Sequence, residues 1–206
     1  MKRIITVQHT QSVHHTNGMV GSWTDWELTE TGKRQAYNIA SNLKDEFSDC
    51  GLIIYSSDLL RAKQTADIIA QQLNTVPLYK PELRERYLGK CCGQSVQWLR
   101  DNIECHEKSI ADKMFSNAES RRDVWNRLKP FFDSMISNEI ENIIIVSHGD
   151  LLSILYVMFL GLDPEFINNC ELYGFAGGVS QMYIDDDQKR YIRRISDMSY
   201  LQKKPN

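Results

Sequence analysis

Arg3-Ile4-Ile5-Thr6-Val7-Gln8-His9 and Ile143-Ile144-Ile145-Val146-Ser147-His148-Gly149-Asp150 together decide the fold. Each is a short apolar run rich in β-branched residues, and each leads into a histidine. The runs read as strands over Arg3–Gln8 and Ile143–Ser147. The second is continuous enough to be a central parallel strand. In an open α/β sheet, ligands bind outside the carboxyl ends of the strands. His9 and His148 stand there and can face each other across one pocket. An imidazole near neutral pH serves as nucleophile, base, acid or metal ligand.

Outward from these runs, strands alternate with helical patterns. Gln8 to Leu28 is polar and reads as a long functional loop. Ala36, Ile39, Ala40, Leu43 and Phe47 then share one helix face, with Thr29 or Thr31 as its cap. Leu52–Tyr55 reads as a second strand. Ser56 or Ser57 is expected to cap a helix carrying Ala62, Ala66, Ile69 and Leu73. A short strand follows near Val76–Tyr79. Residues 81–118 are irregular, with room for one or two short helices. Val124, Leu128, Phe131, Phe132 and Met135 mark another amphipathic helix. Leu151–Leu160 is apolar nearly all round, as a buried helix is. Gln181–Ile184 and Arg190–Ile195 read as a hairpin joined by Asp185-Asp186-Asp187. The pattern predicts an α/β fold. The expected form is a three-layer sandwich with a mostly parallel central sheet and helices on both faces, in one domain over residues 1–206.

Composition narrows the function. The 206 residues are 42% hydrophobic and 25% charged, with a net charge of −3, so there is no global basic field. Neither nucleic acid nor a membrane is an expected partner. No apolar run approaches the roughly 18 residues of a membrane span, and the N-terminus has no signal core. The five cysteines are odd in number and form no CxxC. They read as packing residues of a reduced, cytoplasmic protein. The remaining histidines, His14, His15 and His106, fall in no HExxH, HxH or Cys/His spacing, so no metal site is expected. GxGxxG and GxxxxGK[ST] are absent, and no cofactor is expected.

Four residues carry the chemistry that remains. A lone histidine is more often structural than catalytic, but His9 opens a long polar loop after a strand. His148 precedes Gly149, which lets a ligand approach the backbone, and a helix start whose N–H groups suit an anion. Arg61 lies one turn into a helix that follows a strand and can bind an oxyanion bidentately. On its own it reads as a solvated surface charge. Glu85, flanked by Arg84 and Arg86, reads on its own as part of a surface salt-bridge cluster.

Taken together, the blocks resemble the histidine phosphatase superfamily, the phosphoglycerate mutase-like fold, in its phosphatase branch. Gln8-His9-Thr10-Gln11-Ser12, Ser22-Trp23-Thr24-Asp25 and Leu28-Thr29-Glu30-Thr31-Gly32 resemble its opening. Ser57-Asp58-Leu59-Leu60-Arg61-Ala62-Lys63-Gln64-Thr65-Ala66 is similar to its second block. Leu83-Arg84-Glu85 through Gly93 resembles the acid block, Glu119-Ser120 a helix-opening pair, and Val146-Ser147-His148-Gly149 the final block. The blocks occur in the family's order over nearly the whole chain.

The resemblance implies that His9 accepts a phosphoryl group, that Arg61 and His148 hold its oxygens, and that Glu85 protonates the leaving alcohol. It further implies a substrate-binding set of Gln8, Ser12, His15, Ser22 and Gly149. The implied partner is a small phosphorylated metabolite, and a homodimer is allowed. Phosphoryl transfer needs in-line attack and neutralisation of oxygen charge, which cationic donors and N–H groups supply without metal.

This chain departs from the pattern at three places. The family's arginine beside the nucleophile is Gln8, its following glycine is Thr10, and the glycine before Trp23 is Ser22. Glutamine carries no charge and no guanidinium fork. His15 stands where the family has an asparagine, and a protonated His15 would restore part of the lost charge. Three functions compete. The first is a metal-independent phosphomonoesterase working through phosphohistidine. The second is a mutase, but the span from Gly93 to Glu119 is short and mixed in charge where mutases carry a longer basic insertion. The third is a non-catalytic phospho-ligand binding protein, for which Gln8 is the sequence support.

Overall fold

The computed structural model describes residues 1–47 and 51–202. Its chain order is β1 (Lys2–Gln8), α1 (His14–Asn17), α2 (Glu30–Glu46), β2 (Leu52–Ser56), α3 (Leu60–Gln72), β3 (Pro77–Tyr79), α4 (Val96–Asn102), α5 (Arg121–Ser137), β4 (Asn142–Ser147), α6 (Gly149–Phe159), β5 (Val179–Ile184) and β6 (Arg190–Asp197). The strands form one sheet in the order β3-β2-β4-β1-β5-β6. β3, β2, β4 and β1 run parallel, β5 is antiparallel to β1, and β6 is antiparallel to β5. The sheet is mostly parallel, as the alternating pattern predicts.

The period-two side-chain alternation of a strand explains the two buried faces. Ile4, Ile143, Ile145 and Met182 point to one face and pack under Val124, Leu128 and Phe132 of α5 and the apolar residues of α6. Ile5, Val7, Ile54, Ile144 and Val146 point to the other, under Ile39 and Leu43 of α2 and Ala62, Ala66 and Ile69 of α3. Leu151 through Phe159 are all buried. No helix among the described residues is long and apolar enough to cross a membrane.

Several local expectations are corrected. Thr29 is the cap of α2, accepting from Gly32 N–H. Neither Ser56 nor Ser57 caps α3, whose N-cap is Leu59 with no side-chain bond. The hydroxyl of Ser57 accepts from Leu59 N–H one step before the helix. The long loop after β1 contains the single turn α1. Val76 lies outside β3 and is exposed. Among the cysteines, Cys91 is buried and Cys92 half-buried, but Cys105 and Cys170 are exposed and do not pack. Cys50 lies outside the described residues.

Register brings the site together. Gln8 pairs with Ser147 and Ser56 with Val146. His9, Ser57 and His148 therefore leave adjacent parallel strands at one edge. His9 N–H donates to Ser147 O at 2.8 Å and Ser57 N–H to Val146 O at 3.0 Å, so the first residue beyond each strand is still held by the ladder.

Candidate active site

A cavity of about 260 Å³ opens at this edge, lined by Gln8, His9, His14, His15, Ser22, Arg61, Glu85, Gly149 and Tyr173 among others. At its floor, His9 Nδ1 is 2.9 Å from Thr10 O. A carbonyl only accepts, so Nδ1 carries the proton and Nε2 keeps a lone pair. That Nε2 receives the Nε–H of Arg61 at 3.1 Å. Burial, then the Arg61 charge and His15, hold His9 well below the usual histidine pKa. At neutral pH it is a neutral imidazole whose lone-pair nitrogen faces a guanidinium.

Arg61 is 1% exposed and no solvated surface charge. Its Nη1 donates to Thr24 O at 2.9 Å and Nη2 to Ser22 O at 2.8 Å. Those carbonyls fix the guanidinium plane. Burial lowers its pKa to about 10, which still leaves it charged at neutral pH. Ser22 reaches this geometry with φ +51°, a left-handed conformation that favours glycine. Its hydroxyl offsets that cost by donating to Arg86 O at 2.7 Å and accepting from Leu88 N–H at 2.9 Å.

His148 is fully buried behind the cavity wall. Its Nε2 is 2.8 Å from Ser57 Oγ, while its buried Nδ1 has no hydrogen-bond partner among the described residues. Its ring centroid is 5.1 Å from that of His9. Burial, then Arg61 and His9, press its pKa well below the usual value.

Glu85 is no surface salt-bridge residue. Its carboxylate sits at the start of α6, accepting from Arg86 N–H at 2.9 Å, Leu151 N–H at 3.2 Å and Asp150 N–H at 3.4 Å. Helix N-terminal amides favour the ionised form by up to about 2 kcal/mol. Burying a carboxylate costs several kcal/mol, and Asp150 adds like-charge repulsion. Burial wins, and the pKa of Glu85 is raised. Its backbone is held from two sides. Trp23 Nε1–H donates to Glu85 O at 2.6 Å, and Arg127 donates to Glu82 O, Arg84 O and Glu85 O. Arg127 is itself gripped by Glu119.

Gln8 and Gly149 lie side by side. A Cβ built on Gly149 would stand 3.3 Å from Gln8 Nε2, and one on Gly174 would stand 3.3 Å from Gln8 Oε1. The carboxamide thus occupies a slot between two glycines at the start of α6. Ser12 is buried and does not line the cavity. Its N–H donates to His15 Nδ1 at 3.1 Å and its hydroxyl bonds His14 Nδ1 at 2.7 Å. His15 stacks on His9 with ring centroids 5.4 Å apart. Partial burial among these rings, then the Arg61 charge, lowers its pKa, which opposes a protonated His15.

Sequence reasoning missed His14, Ser57, Trp23, Asp150 and Arg127 as site residues. Arg127 sits on an ordinary amphipathic helix and has no local signature. His14 was visible beside His15, but only the turn of α1 brings both rings onto His9.

Comparison with known proteins agrees with this fold. Residues 4–197 match the family model of the histidine phosphatase superfamily, branch 1. The chain is 31% identical over 185 residues to the 2,3-bisphosphoglycerate-dependent phosphoglycerate mutase of Bartonella quintana, covering 83% of this chain and 87% of that one. It is 27% identical over 200 residues to the "Putative phosphoserine phosphatase 2" of Hydrogenobacter thermophilus, covering 93% and 94%. The structure of Bacillus stearothermophilus YhfR superposes with a TM-score of 0.84 at 21% identity, over 98% of this chain and 100% of that one. A mycobacterial glucosyl-3-phosphoglycerate phosphatase in complex with VO3 superposes with a TM-score of 0.80 at 22% identity, over 93% and 97%. At such identities the two structures speak for the fold, while the family model speaks for descent: the chain belongs to branch 1 of the histidine phosphatase superfamily.

Proposed function

We propose that this protein is a metal-independent phosphomonoesterase that acts on a small phosphorylated metabolite through a phosphohistidine at His9. The observation that carries this reading is the His9 tautomer. Nδ1 is tied to Thr10 O, and Nε2 offers its lone pair into the cavity beside Arg61.

In this reading the phosphoryl group enters between His9 Nε2 and the start of α6. Its oxygens take Arg61 Nε–H in place of His9, and the unpartnered His148 Nδ1. For that, His148 Nε2 accepts a hydrogen bond from the Ser57 hydroxyl and Nδ1 carries the ring proton. Gly149 admits the ligand to the backbone, and Gln8 supplies an amide donor. The neutral His9 attacks phosphorus as the alcohol oxygen departs. Glu85, whose pKa burial and Asp150 raise, gives that oxygen its proton. The resulting carboxylate then takes a proton from the water that cleaves the phosphohistidine.

Hydrolysis is favoured over mutase transfer by the charge inventory. Two lining residues are arginines. Arg86 is spent on Glu107 and Asp150, and among the described residues Arg61 forms no ion pair. One such cation suits one phosphate at a time. A bisphosphorylated cofactor needs a second anion site. The mutase reading has the Bartonella quintana relative in its favour. The discriminating experiment is rapid quench of purified protein with a panel of phosphometabolites, trapping an acid-labile phosphoenzyme that His9→Ala lacks. Transfer of the trapped group to water supports the phosphatase, and transfer to a phosphoglycerate supports the mutase.

A further inference from the structure

Two exposed aromatic residues stand beside the cavity, in the connection between α6 and β5. Tyr173 lines the cavity and is 65% exposed, and Phe175 is 60% exposed. Their rings meet edge to face, with centroids 5.6 Å apart and an angle of 89°. Exposed apolar side chains scattered singly need no explanation, whereas a contiguous pair at the rim of a cavity marks a binding surface. The segment that carries the pair is tied down. Leu172 N–H donates to Ser153 Oγ at 3.2 Å and Phe175 N–H to Ser196 Oγ at 2.8 Å. A bulge in β6 aims that hydroxyl: the register shifts between the Val179–Asp197 and Gln181–Arg194 pairs, and Ser196 takes φ +53°. Gly177 N–H donates to Gln8 O at 3.0 Å and to His9 O at 3.2 Å. Between the two aromatics, Gly174 lets the backbone press against the Gln8 carboxamide, where a Cβ would stand 3.3 Å from Oε1. Both rings are therefore held at a fixed place relative to His9.

The charges of the wall limit what can lie against Tyr173. Arg61 and Arg86 are the lining cations, and Arg86 is paired with Glu107 and Asp150. The phosphoryl group takes Arg61. A second anionic group on the substrate would face Glu85 and Asp150 with no free counter-charge among the lining residues. The apolar part of the wall is Val20, Leu88 and Tyr173. An aromatic ring at such a wall favours another planar ring, offset-stacked or edge-on, over a puckered or open chain.

We propose that Tyr173 sets leaving-group specificity, and that the substrate is the phosphate monoester of an uncharged alcohol bearing a planar ring, which packs against the Tyr173 ring at the cavity mouth. The ester as a substrate rests on the phosphomonoesterase reading, whereas the ring site does not.

The test compares kcat/KM of the full chain for benzyl phosphate, cyclohexylmethyl phosphate and 3-phosphoglycerate. Calorimetric binding of benzylphosphonate and methylphosphonate, which are not hydrolysed, runs alongside. Benzyl phosphate should exceed cyclohexylmethyl phosphate by about tenfold, and 3-phosphoglycerate should be the poorest of the three. Tyr173→Ala should bring the benzyl-to-cyclohexylmethyl ratio to about one, and Tyr173→Phe should keep it. Benzylphosphonate should bind more tightly than methylphosphonate, and Tyr173→Ala should remove that difference. Equal kcat/KM for the planar and puckered rings overturns the proposal. So does a ratio that Tyr173→Ala leaves unchanged, or a preference for 3-phosphoglycerate. If no ester is turned over while benzylphosphonate still binds more tightly through Tyr173, the phosphomonoesterase reading falls and the ring site stands. Equal binding of the two phosphonates overturns the ring site itself.

Discussion

Arg61 donates its Nε–H to His9 Nε2 at 3.1 Å, so the guanidinium that the proposed mechanism gives to a phosphoryl oxygen is hydrogen-bonded to the proposed nucleophile. Ser22 O and Thr24 O take its other two nitrogens. A lysine cannot make all three bonds from one point charge. Arg61→Lys should therefore lower kcat/KM by roughly 10²–10³, the usual cost of one preorganised donor to a developing anion. Steady-state kinetics on the best substrate of the panel measures this. A loss under threefold would remove Arg61 from the transition state.

In the proposed mechanism Glu85 protonates a leaving oxygen, and the need for that proton depends on the leaving group. Glu85→Gln should slow alkyl phosphates by about 10²–10⁴. It should barely slow p-nitrophenyl phosphate, whose phenolate departs without a proton. Parallel rate measurements on the two substrates decide the matter, and equal losses would show that Glu85 is not the acid.

The pH profile follows from two opposed shifts. Burial, with Arg61, His15 and His14 facing it, depresses the His9 pKa, so the nucleophile stays unprotonated well below pH 6.5. Burial and Asp150, against Arg61 and the amides of Arg86 and Leu151, raise Glu85, so the acid stays protonated above its ordinary range. Corrected for the second ionisation of the substrate, kcat/KM should be bell-shaped. Its acid limb should lie below pH 6.5, and its alkaline limb should vanish in Glu85→Gln. Stability obeys the same linkage. His9 and His148 bind protons more readily unfolded than folded. Stability is thus full above about pH 6.5 and is lost as pH falls toward their depressed folded values. Thermal melts between pH 8 and pH 4 should show Tm falling on the acid side.

Chelation separates this mechanism from a metallohydrolase. With phosphoryl charge met by Arg61 and hydrogen-bond donors, turnover should persist in excess EDTA. Orthovanadate should inhibit as a five-coordinate mimic at His9 Nε2. Loss of activity in EDTA, with rescue by one divalent ion, would overturn the mechanism.

The strands, the helix faces and the placement of His9 and His148 were legible in the sequence because period-two and period-3.6 burial are local properties. The environments of Arg61 and Glu85 were not. By composition both are charges among charges, and only long-range packing of the Trp23 loop, α5 and α6 buries them. The three-histidine cluster was hidden for a similar reason. His14 and His15 are adjacent in sequence, and their convergence on His9 depends on the fold of the loop between Gln8 and Leu28. The lowered pKa of His15 follows from that same crowding, which no residue spacing encodes.

The replacement of arginine by Gln8 supports the last prediction. One missing donor costs roughly 10²–10³ in rate, far less than the full acceleration of phosphate monoester hydrolysis. The wild-type protein should thus turn over slowly but measurably. The slot that holds Gln8 is bounded by Gly149 and Gly174, where no Cβ stands in the way. Gln8→Arg should raise kcat/KM by a factor approaching that same range. A lower rate on the native substrate would make Gln8 a specificity device, with the pocket shaped around an uncharged amide. If neither form turns over any phosphomonoester while inorganic phosphate still binds, the protein is a phospho-ligand binder built on the catalytic fold.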